Sequence, residues 1–361
     1  MNIAIINEHI EDTLGGSELQ CDIIANELTE LGHDVTYLAM RGSKDRYIRS
    51  YKVIPITEVN TDEFYSVIKK VNPDVIYWRY YKRKFYKTSK QLKILGYPII
   101  FSVSHAEDLL KYNWKVFDKV KSLRELARSL RKFARNIYEY KGFKNVTVIA
   151  NQCKAFMGKI RNVPEFYFPN SMFEEKNNFN WNKSYCVWVS NLKKRKNPDK
   201  YIDLARKFSS YDIDFLMVGE VQDSNYSFVS DPHQLPENVK YLGKKNIEEV
   251  NGIIEKSMFL IHTCNPEGFP NNFIQAWYYK KPVVSLFYDP DGLIEKERLG
   301  FYSKTENKFY DDVEKLLTDQ SLREKLGANA KRISEELFDK NKNIKNLEKV
   351  MVTLTDERQP N

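Results

Sequence analysis

The sequence has few cysteines, and they do not form the dense pattern of a disulfide-rich protein. Cys21, Cys153, Cys186 and Cys264 lie far apart among 361 residues and include no CxxC pair. Disulfide frameworks are typical of small secreted chains, so we predict reduced, mostly buried thiols and a cytoplasmic protein. The five histidines show no spacing that suits metal ligands, which argues against a metal site.

Long apolar runs are also missing. No stretch approaches the roughly 20 apolar residues that cross a bilayer, so any membrane contact is expected to be peripheral. The first residues, MNIAIINEHIED, are apolar over too short a length for a secretory leader and are typical of a β-strand. The pattern GxGxxG is absent, which argues against a nicotinamide or flavin enzyme.

The chain has enough apolar sequence for large cores, with 42% hydrophobic and 29% charged residues. At roughly 150 residues per domain, its length predicts two domains. Short apolar strands alternate with helical patterns, which indicates parallel sheets built from βαβ units. We therefore predict an α/β fold in which two doubly wound Rossmann-like domains face a cleft.

A polar, Asn-rich stretch, EEKNNFNWNKS at residues 174–184, is typical of an interdomain connection. The predicted organisation is an N-terminal domain over 1–172, a linker over 173–184 and a C-terminal domain over 185–338. A final helix lies within 339–361 and can pack across to the N-terminal domain.

In the N-terminal half, two loops follow predicted strands, where doubly wound sheets bind ligands. In TLGGSELQ, Gly15 and Gly16 precede a helix that Ser17 can cap, and its amides favour an anion or a polar sugar group. In SVSHAEDLL, His105 follows the predicted fifth strand and can donate a hydrogen bond or carry a proton. A plain capped loop and a structural histidine are the alternatives.

In the C-terminal half, VWVSNLKKRKNPDKY contains a strand followed by four cations, residues 193–196, just before a helix that Pro198 can start. Cations beside helix N-terminal amides suit a diphosphate, although a solvated run of charge is the alternative. The segment FLIHTCNPEGFPNNFIQAWYYKKPVV then places Glu267 and Gly268 in a loop before another helix. The Glu267 carboxylate can accept hydrogen bonds from sugar hydroxyls, and the backbone amides after Pro270 can face a phosphate group. A helix cap without a ligand is the alternative.

The segment EGFPNNFIQAWYYKKPVV resembles the glutamate-centred signature of the retaining, nucleotide-sugar-dependent glycosyltransferases of the GT-B fold, specifically family four, the group 1 type. LGGSE, the histidine after the fifth strand, FPNS at 168–171 and VSNLKKRKN follow in that family's order. The resemblance implies a retaining, hexosyltransferase-type enzyme of polysaccharide biosynthesis. It would move a sugar from a nucleoside diphosphate sugar to a glycan, a lipid-linked acceptor or a small molecule. The nucleotide sugar is a co-substrate, and no cofactor or metal is expected.

The resemblance also implies roles for individual residues. His105, Lys196 and Glu267 correspond to catalytic positions, beside the transferred sugar and the diphosphate. Gln275 stands where the family has a glutamate that holds the donor ribose, and Asn191 stands where it has an arginine. The full set of predicted donor-binding residues is Gly16, Asn191, Arg195, Lys196, Gly219, Gly268, Phe269, Pro270, Asn271, Asn272, Phe273 and Gln275.

Positive charge concentrates between residues 79 and 144. This segment has 18 Lys and Arg against 5 Asp and Glu, a local net charge of +13, whereas the whole chain has +8. Its periodicity predicts a helix over 116–140 that packs on the first sheet with solvated charges. The alternative is peripheral docking of an acceptor-side patch on anionic lipid at the inner face of the membrane. That patch would comprise Lys82, Arg83, Arg128, Arg131 and Arg135.

Two rival functions remain open. A nucleotide-sugar epimerase of similar architecture would form product without an acceptor. A non-catalytic basic protein would bind membrane or nucleic acid through residues 79–144. Nucleic acid is not an expected partner, because no nucleic-acid motif accompanies the basic segment.

Overall fold

The computed structural model describes residues 1–13, 15–80, 84–103, 110–118, 120, 122–150, 166–167, 169–265 and 268–356. Five residues named above lie outside these ranges: Lys82, Arg83, His105, Cys153 and Glu267. The chain divides into two compact units, one formed by Met1–Ser171 with Lys340–Asn361 and the other by Met172–Asp339. Each unit is built on one parallel sheet, which confirms the predicted α/β class with two doubly wound domains.

In the first unit, the described residues form a sheet of seven parallel strands. The strands are β1 Asn2–Asn7, β2 Asp34–Met40, β3 Lys52–Ile56, β4 Val75–Trp78, β5 Ile99–Val103, β6 Thr147–Ala150 and β7 Phe166–Tyr167. Their order in space is β3-β2-β1-β4-β5-β6-β7. Every residue of β1 after Asn2 is buried, because helices cover both faces of a doubly wound sheet.

The helices of this unit begin where local capping signals occur. They are α1 Gly16–Glu30, α2 Asp62–Val71, α3 Phe85–Ile94 and α4 Leu123–Tyr140. Thr61 caps α2 by accepting a hydrogen bond from the Phe64 amide. The Ser17 cap predicted for α1 is wrong. Gly15 occupies that position, and Ser17 lies in the first turn, where its Oγ accepts from Asn7 Nδ2 at 3.0 Å.

The predicted helix over 116–140 is wrong at its start and in its packing. A separate 3-10 turn covers Trp114–Phe117, and α4 begins only at Leu123 because the Ser122 side chain accepts from the Glu125 amide. This Ser-x-x-Glu spacing is a capping signal present in the sequence. The leucines of α4 do not pack on the sheet, since Leu123 is 86% exposed and Leu130 is 52% exposed.

In the described part of the second unit, six parallel strands form the sheet. They are β8 Tyr185–Val189, β9 Asp214–Val218, β10 Val239–Tyr241, β11 Leu260–His262, β12 Val283–Ser285 and β13 Gly300–Tyr302. Their order is β10-β9-β8-β11-β12-β13. The helices are α5 Pro198–Lys207, α6 Ile247–Lys256, α7 Asn271–Tyr278, α8 Leu293–Lys296, α9 Glu306–Thr318 and α10 Gln320–Leu337.

The last helix of the chain, α11 Lys340–Asp356, belongs to the first unit. Its buried residues Ile344, Leu347 and Met351 join the core formed by the strands and α1. Two polar contacts hold the same helix, since Lys340 pairs with Glu27 of α1 and Glu348 accepts from His33 at 2.9 Å. Within the described ranges, none of the helices is both long enough and apolar enough to cross a membrane.

Truncating α11 at its buried face should destabilise the first unit. Leu347 is 1% exposed, so Leu347→Ala removes buried methyl groups and is expected to lower the free energy of unfolding by about 2–5 kcal/mol. Val352→Ala on the same helix, at a position 40% exposed, should change it by less than about 0.5 kcal/mol. Urea denaturation of the full chain measures both. Equal effects of the two variants would show that α11 does not pack as described.

Candidate functional site

The second sheet reverses its strand order next to β8. The chain passes from β8 outward through β9 to β10 and then returns to β11 on the other side of β8. Loops that follow adjacent strands at such a reversal leave the sheet in opposite directions, and the crevice between them is where doubly wound sheets bind ligands. Both C-terminal segments singled out in the sequence follow these two strands, and the Asn265 amide donates to the Arg195 carbonyl at 3.1 Å.

The loops after β8 and β11 are fastened together by a buried hydroxyl. Thr263 Oγ1 accepts from Trp188 Nε1 at 2.9 Å and donates to the Lys196 carbonyl at 2.8 Å. Asn197 adds a second link, because its Nδ2 donates to the Thr263 carbonyl at 2.9 Å. Its backbone is left-handed, with φ 48°, a conformation that asparagine tolerates. Thr263 and Asn197 were not among the predicted site residues, although each is a polar residue at an element boundary.

The basic cluster forms a single 3-10 turn, Lys194–Lys196, that leads into α5. Lys194 and Arg195 are exposed and Lys196 is half-buried. Pro198 starts α5, as predicted, since its missing amide hydrogen would have had no partner in the first turn. Three cations next to a helix N-terminus create a positive potential that favours an anion such as a diphosphate.

The ends of β8 and β9 approach each other closely at Gly219. A Cβ atom there would lie 1.8 Å from the Ser190 carbonyl oxygen, and the backbone φ is +151°, so glycine alone fits. Next to this contact, Asn191 Oδ1 accepts from the Glu220 amide at 3.2 Å. The side-chain oxygen of Asn191 therefore holds the loop after β9 in place.

The helix α7 starts directly after Pro270, and Gln275 lies about one turn beyond its first residue. Asn272 Nδ2 donates to the Val189 carbonyl at 2.9 Å, and its buried Oδ1 has no partner among the described residues. Phe269 and Phe273 are buried in the core, where Phe273 packs on Trp277 with ring centroids 5.6 Å apart. These two residues can therefore contact a ligand only through their backbone atoms.

Gln275 takes part in a chain of hydrogen bonds that runs through buried side-chain amides. Its Nε2 donates to Asn251 Oδ1 at 2.7 Å, and Asn251 Nδ2 donates in turn to the carbonyls of Phe173 and Glu175 at 2.9 and 2.7 Å. The chain ties α7 to the segment that enters the second unit. An amide fits between these groups, whereas a carboxylate would place two acceptor oxygens against each other.

The acidic pair Asp289 and Asp291 does not resemble a metal site. Asp289 accepts from the amides of Ile294 and Glu295 at 2.8 and 3.2 Å, so its carboxylate caps α8. Burial raises the pKa of the Asp289 carboxyl above its usual value. The described ranges contain no group of three or more His, Cys, Asp or Glu placed to hold a metal ion.

The first unit also reverses its strand order, next to β1, and Gly16 opens the helix there. A Cβ atom on Gly15 would lie 2.2 Å from Glu18 Oε2, because the Glu18 side chain folds back over this loop. Burial raises the pKa of the Glu18 carboxyl. Nearby, buried Arg79 donates from Nη2 to Asn170 Oδ1 at 3.1 Å. From the sequence, Arg79 is expected only as part of the basic segment, so this contact is not predicted.

The close packing at Gly219 gives a matched pair of glycine variants. Gly219→Ala places a methyl group against backbone that cannot move aside, so we expect a loss of about 3 kcal/mol or more in the free energy of unfolding. Gly243→Ala, at φ +73° with no atom within 4 Å of the new methyl group, should cost about 1–2 kcal/mol. Denaturant unfolding measures both, and a Gly219→Ala cost no larger than the Gly243→Ala cost would contradict the contact.

Gln275→Glu should be destabilising at neutral pH and less so in acid. A carboxylate would face Asn251 Oδ1 with no proton between them, and we expect a loss of about 1–3 kcal/mol. Because the protonated form can donate to Asn251, folding raises the pKa of the new carboxyl. The penalty is therefore present above that pKa and is relieved as the pH falls through it.

The measurement is the unfolding free energy of the variant relative to the natural chain at pH 7 and pH 5. Gln91→Glu, at an exposed helical position, is the matched control and should change stability by less than about 0.5 kcal/mol at either pH. A Gln275→Glu penalty that does not shrink in acid would show that the amide chain is not the cause.

Comparison with known proteins gives a consistent result. Residues 171–333 match the family described as glycosyl transferases group 1. A capsular polysaccharide biosynthesis glycosyltransferase, CapM of Staphylococcus aureus, is 24% identical over 180 residues. The match covers 48% of this chain and 47% of CapM, so it spans about half the length of that relative.

Solved structures match over nearly the whole chain. Sucrose-phosphate synthase from Thermosynechococcus elongatus gives a TM-score of 0.76 at 14% identity, over 98% of this chain and 99% of that one. HepE of Anabaena, solved with UDP-glucose, gives a TM-score of 0.70 at 15% identity, over 97% and 99%. Such low identities show the fold alone. Residues 171–333 therefore match the group 1 glycosyltransferase family, and the chain has the GT-B fold.

Proposed function

We propose that the protein is a retaining glycosyltransferase that moves a sugar from a nucleoside diphosphate sugar to a glycan, a lipid-linked acceptor or a small molecule, without a metal. The observation that carries this proposal is the junction of the Lys194–Lys196 turn with the loop after β11 at the strand reversal. That junction lies within residues 171–333, which match the group 1 family. The UDP-glucose complex of HepE supports a nucleotide sugar as donor, and the name of CapM supports a glycan product.

The cations of the turn act on the leaving group. As the bond from the sugar to the diphosphate breaks, negative charge grows on the diphosphate while the new glycosidic bond forms. The ammonium of Lys196, the guanidinium of Arg195 and the amides at the start of α7 stabilise that charge. We assign no side chain as the general base. In the family that the sequence resembles, a phosphate oxygen of the donor takes the proton of the acceptor hydroxyl.

The remaining donor contacts divide between sugar and nucleoside. Glu267 and His105 act on the transferred sugar, as the resemblance implies. Gln275 keeps its Nε2 on Asn251, so its Oε1 is the atom that can accept a hydrogen bond from a ribose hydroxyl. Within the described residues, Cys21, Cys186 and Cys264 form no disulfide, which supports the reducing environment of the cytoplasm as the place of action.

Removing a leaving-group cation should abolish transfer without unfolding the protein. Lys196→Ala is expected to lower kcat by at least about 100-fold, the typical effect of losing one preorganised charge-stabilising group. Glu267→Ala should have a comparable effect. Lys240→Ala, at an exposed position on β10, is the control and should leave kcat unchanged. The assay measures release of nucleoside diphosphate and the glycosylated product, and turnover like that of the natural chain in Lys196→Ala would refute the role.

The donor must first be identified. A thermal-shift screen of nucleoside diphosphates and their sugars does this, because a ligand that binds only the folded state raises Tm. Product formation without any acceptor would favour an epimerase. Salt-sensitive nucleic-acid binding without any nucleotide-sugar binding would favour a non-catalytic basic protein. Full turnover in EDTA is expected, and loss of activity there would overturn the metal-independent mechanism.

A further inference from the structure

Polar contacts fix how α4 is oriented on the first unit. Ser129 Oγ donates to the Val116 carbonyl at 2.7 Å, and Asn136 Nδ2 donates to the Leu110 carbonyl at 2.6 Å. Nearer the C-terminus, the Glu139 carboxylate accepts from backbone amides at the start of α3. All residues of α4 are described, and Glu139 is the one that is buried. The side of the helix that faces the unit is therefore polar.

The leucines of α4 lie on another side of the helix, in solvent. Leu123, Leu126 and Leu130 follow one another at intervals of three and four, which places them in one row. Two turns after Leu130, Tyr138 is also exposed. A row of exposed leucines is costly in water, and a cluster of this kind indicates a surface that binds something.

Aromatic residues extend this apolar row on the preceding turn. Trp114 is 67% exposed and packs on Phe133 of α4, with ring centroids 4.8 Å apart. Tyr112, also exposed, lies 6.3 Å from the same ring and has the ammonium of Lys111 over its face. Exposed tryptophan and tyrosine next to lysine are characteristic of protein surfaces that contact the lipid–water interface.

A row of arginines runs beside the leucines. Arg124, Arg128, Arg131 and Arg135 recur at intervals of four, three and four, and Lys132 is adjacent to them. All five side chains are exposed, and none forms an ion pair with any described residue. The acid nearest the C-terminus, Glu139, is turned inward. The outward charge of the helix is therefore strongly positive.

We propose that the α4 surface, comprising residues 112–117 and 123–138, docks the protein on an anionic lipid bilayer. The leucine row and Trp114 enter the interface while the arginines contact lipid phosphates, so the helix lies in the plane of the membrane. A second copy of this chain fits less well, because a two-fold contact would bring two arginine rows together. A nucleic acid would engage the arginines and leave the leucines in water. This inference is independent of sugar transfer, since docking needs no donor.

The test is co-sedimentation of the full chain with vesicles of phosphatidylcholine alone or mixed with phosphatidylglycerol. We expect binding that needs phosphatidylglycerol and weakens as salt rises. Replacing Arg128, Arg131 and Arg135 by Glu should weaken it at least about tenfold. The matched control replaces the exposed lysines Lys69, Lys240 and Lys325 by Glu. It changes the net charge equally and should retain binding to within about twofold, because these lysines lie on other elements.

A second variant separates the leucines from the charge. Leu123→Ser with Leu130→Ser leaves the net charge unchanged and should also weaken vesicle binding at least about tenfold. Far-ultraviolet circular dichroism and Tm verify that each variant is folded. The proposal is overturned if the natural chain does not bind these vesicles, or if the control variant loses as much binding as the arginine variant. The proposal is also overturned if the leucine variant binds vesicles like the natural chain. Loss of self-association in the leucine variant, with no vesicle binding by the natural chain, would overturn it as well.

Discussion

The second unit depends on how closely β8 and β9 approach at their carboxyl ends, and the missing side chain of Gly219 permits that approach. With the Ser190 carbonyl in the place where a Cβ atom would lie, the Asn191 side chain reaches the Glu220 amide. The loop after β8 then leaves the sheet in one direction, and the basic turn falls next to β11. Thr263 joins that turn to the following loop through Trp188 and the Lys196 carbonyl. Each contact limits where the next can form, so the position of the cations follows from backbone packing beneath them.

The site separates residues that hold the backbone from residues that remain exposed to a ligand. Thr263, Asn197 and Asn272 are short polar side chains that donate hydrogen bonds to backbone carbonyls within the unit. The long side chains of Lys194 and Arg195 are exposed. Preorganised charge stabilises a leaving group effectively because nothing has to rearrange during the reaction, and such charge needs a rigid base. Gln275 belongs with the residues that hold the unit together, because its Nε2 donates to Asn251. This contact explains why an amide suits the position, where the family that the sequence resembles has a carboxylate.

Much of the fold follows from local sequence. The helix α6, Ile247–Lys256, begins where local sequence indicates, because Asn246 and Glu249 form a reciprocal capping box and the apolar spacing is regular. The strand β13 was not predicted. Its three residues are half-buried, and Gly300 is there because its backbone passes against Val283, a tertiary contact with no local signal. The charge and the loop position of residues 193–196 could be predicted from local sequence. Their attachment through Thr263 could not, because it is a tertiary contact. Ser17 was expected to cap α1, but a side chain from β1, Asn7, engages it instead.

The helix α4 shows why periodicity alone does not reveal what a helix faces. Both α2 and α4 carry apolar residues at helical spacing, yet α2 buries Phe64 and Ile68 while α4 buries an acid. The difference arises from α3, whose first amides would lack partners unless an acceptor reached them. Glu139 supplies both carboxylate oxygens to the amides of Lys84 and Tyr86, a favourable position for negative charge at a helix N-terminus. Meeting that requirement rotates α4 so that its polar side faces the unit. The leucine row is then left in solvent beside the arginines, and the surface that we propose to bind lipid arises from the capping of a neighbouring helix.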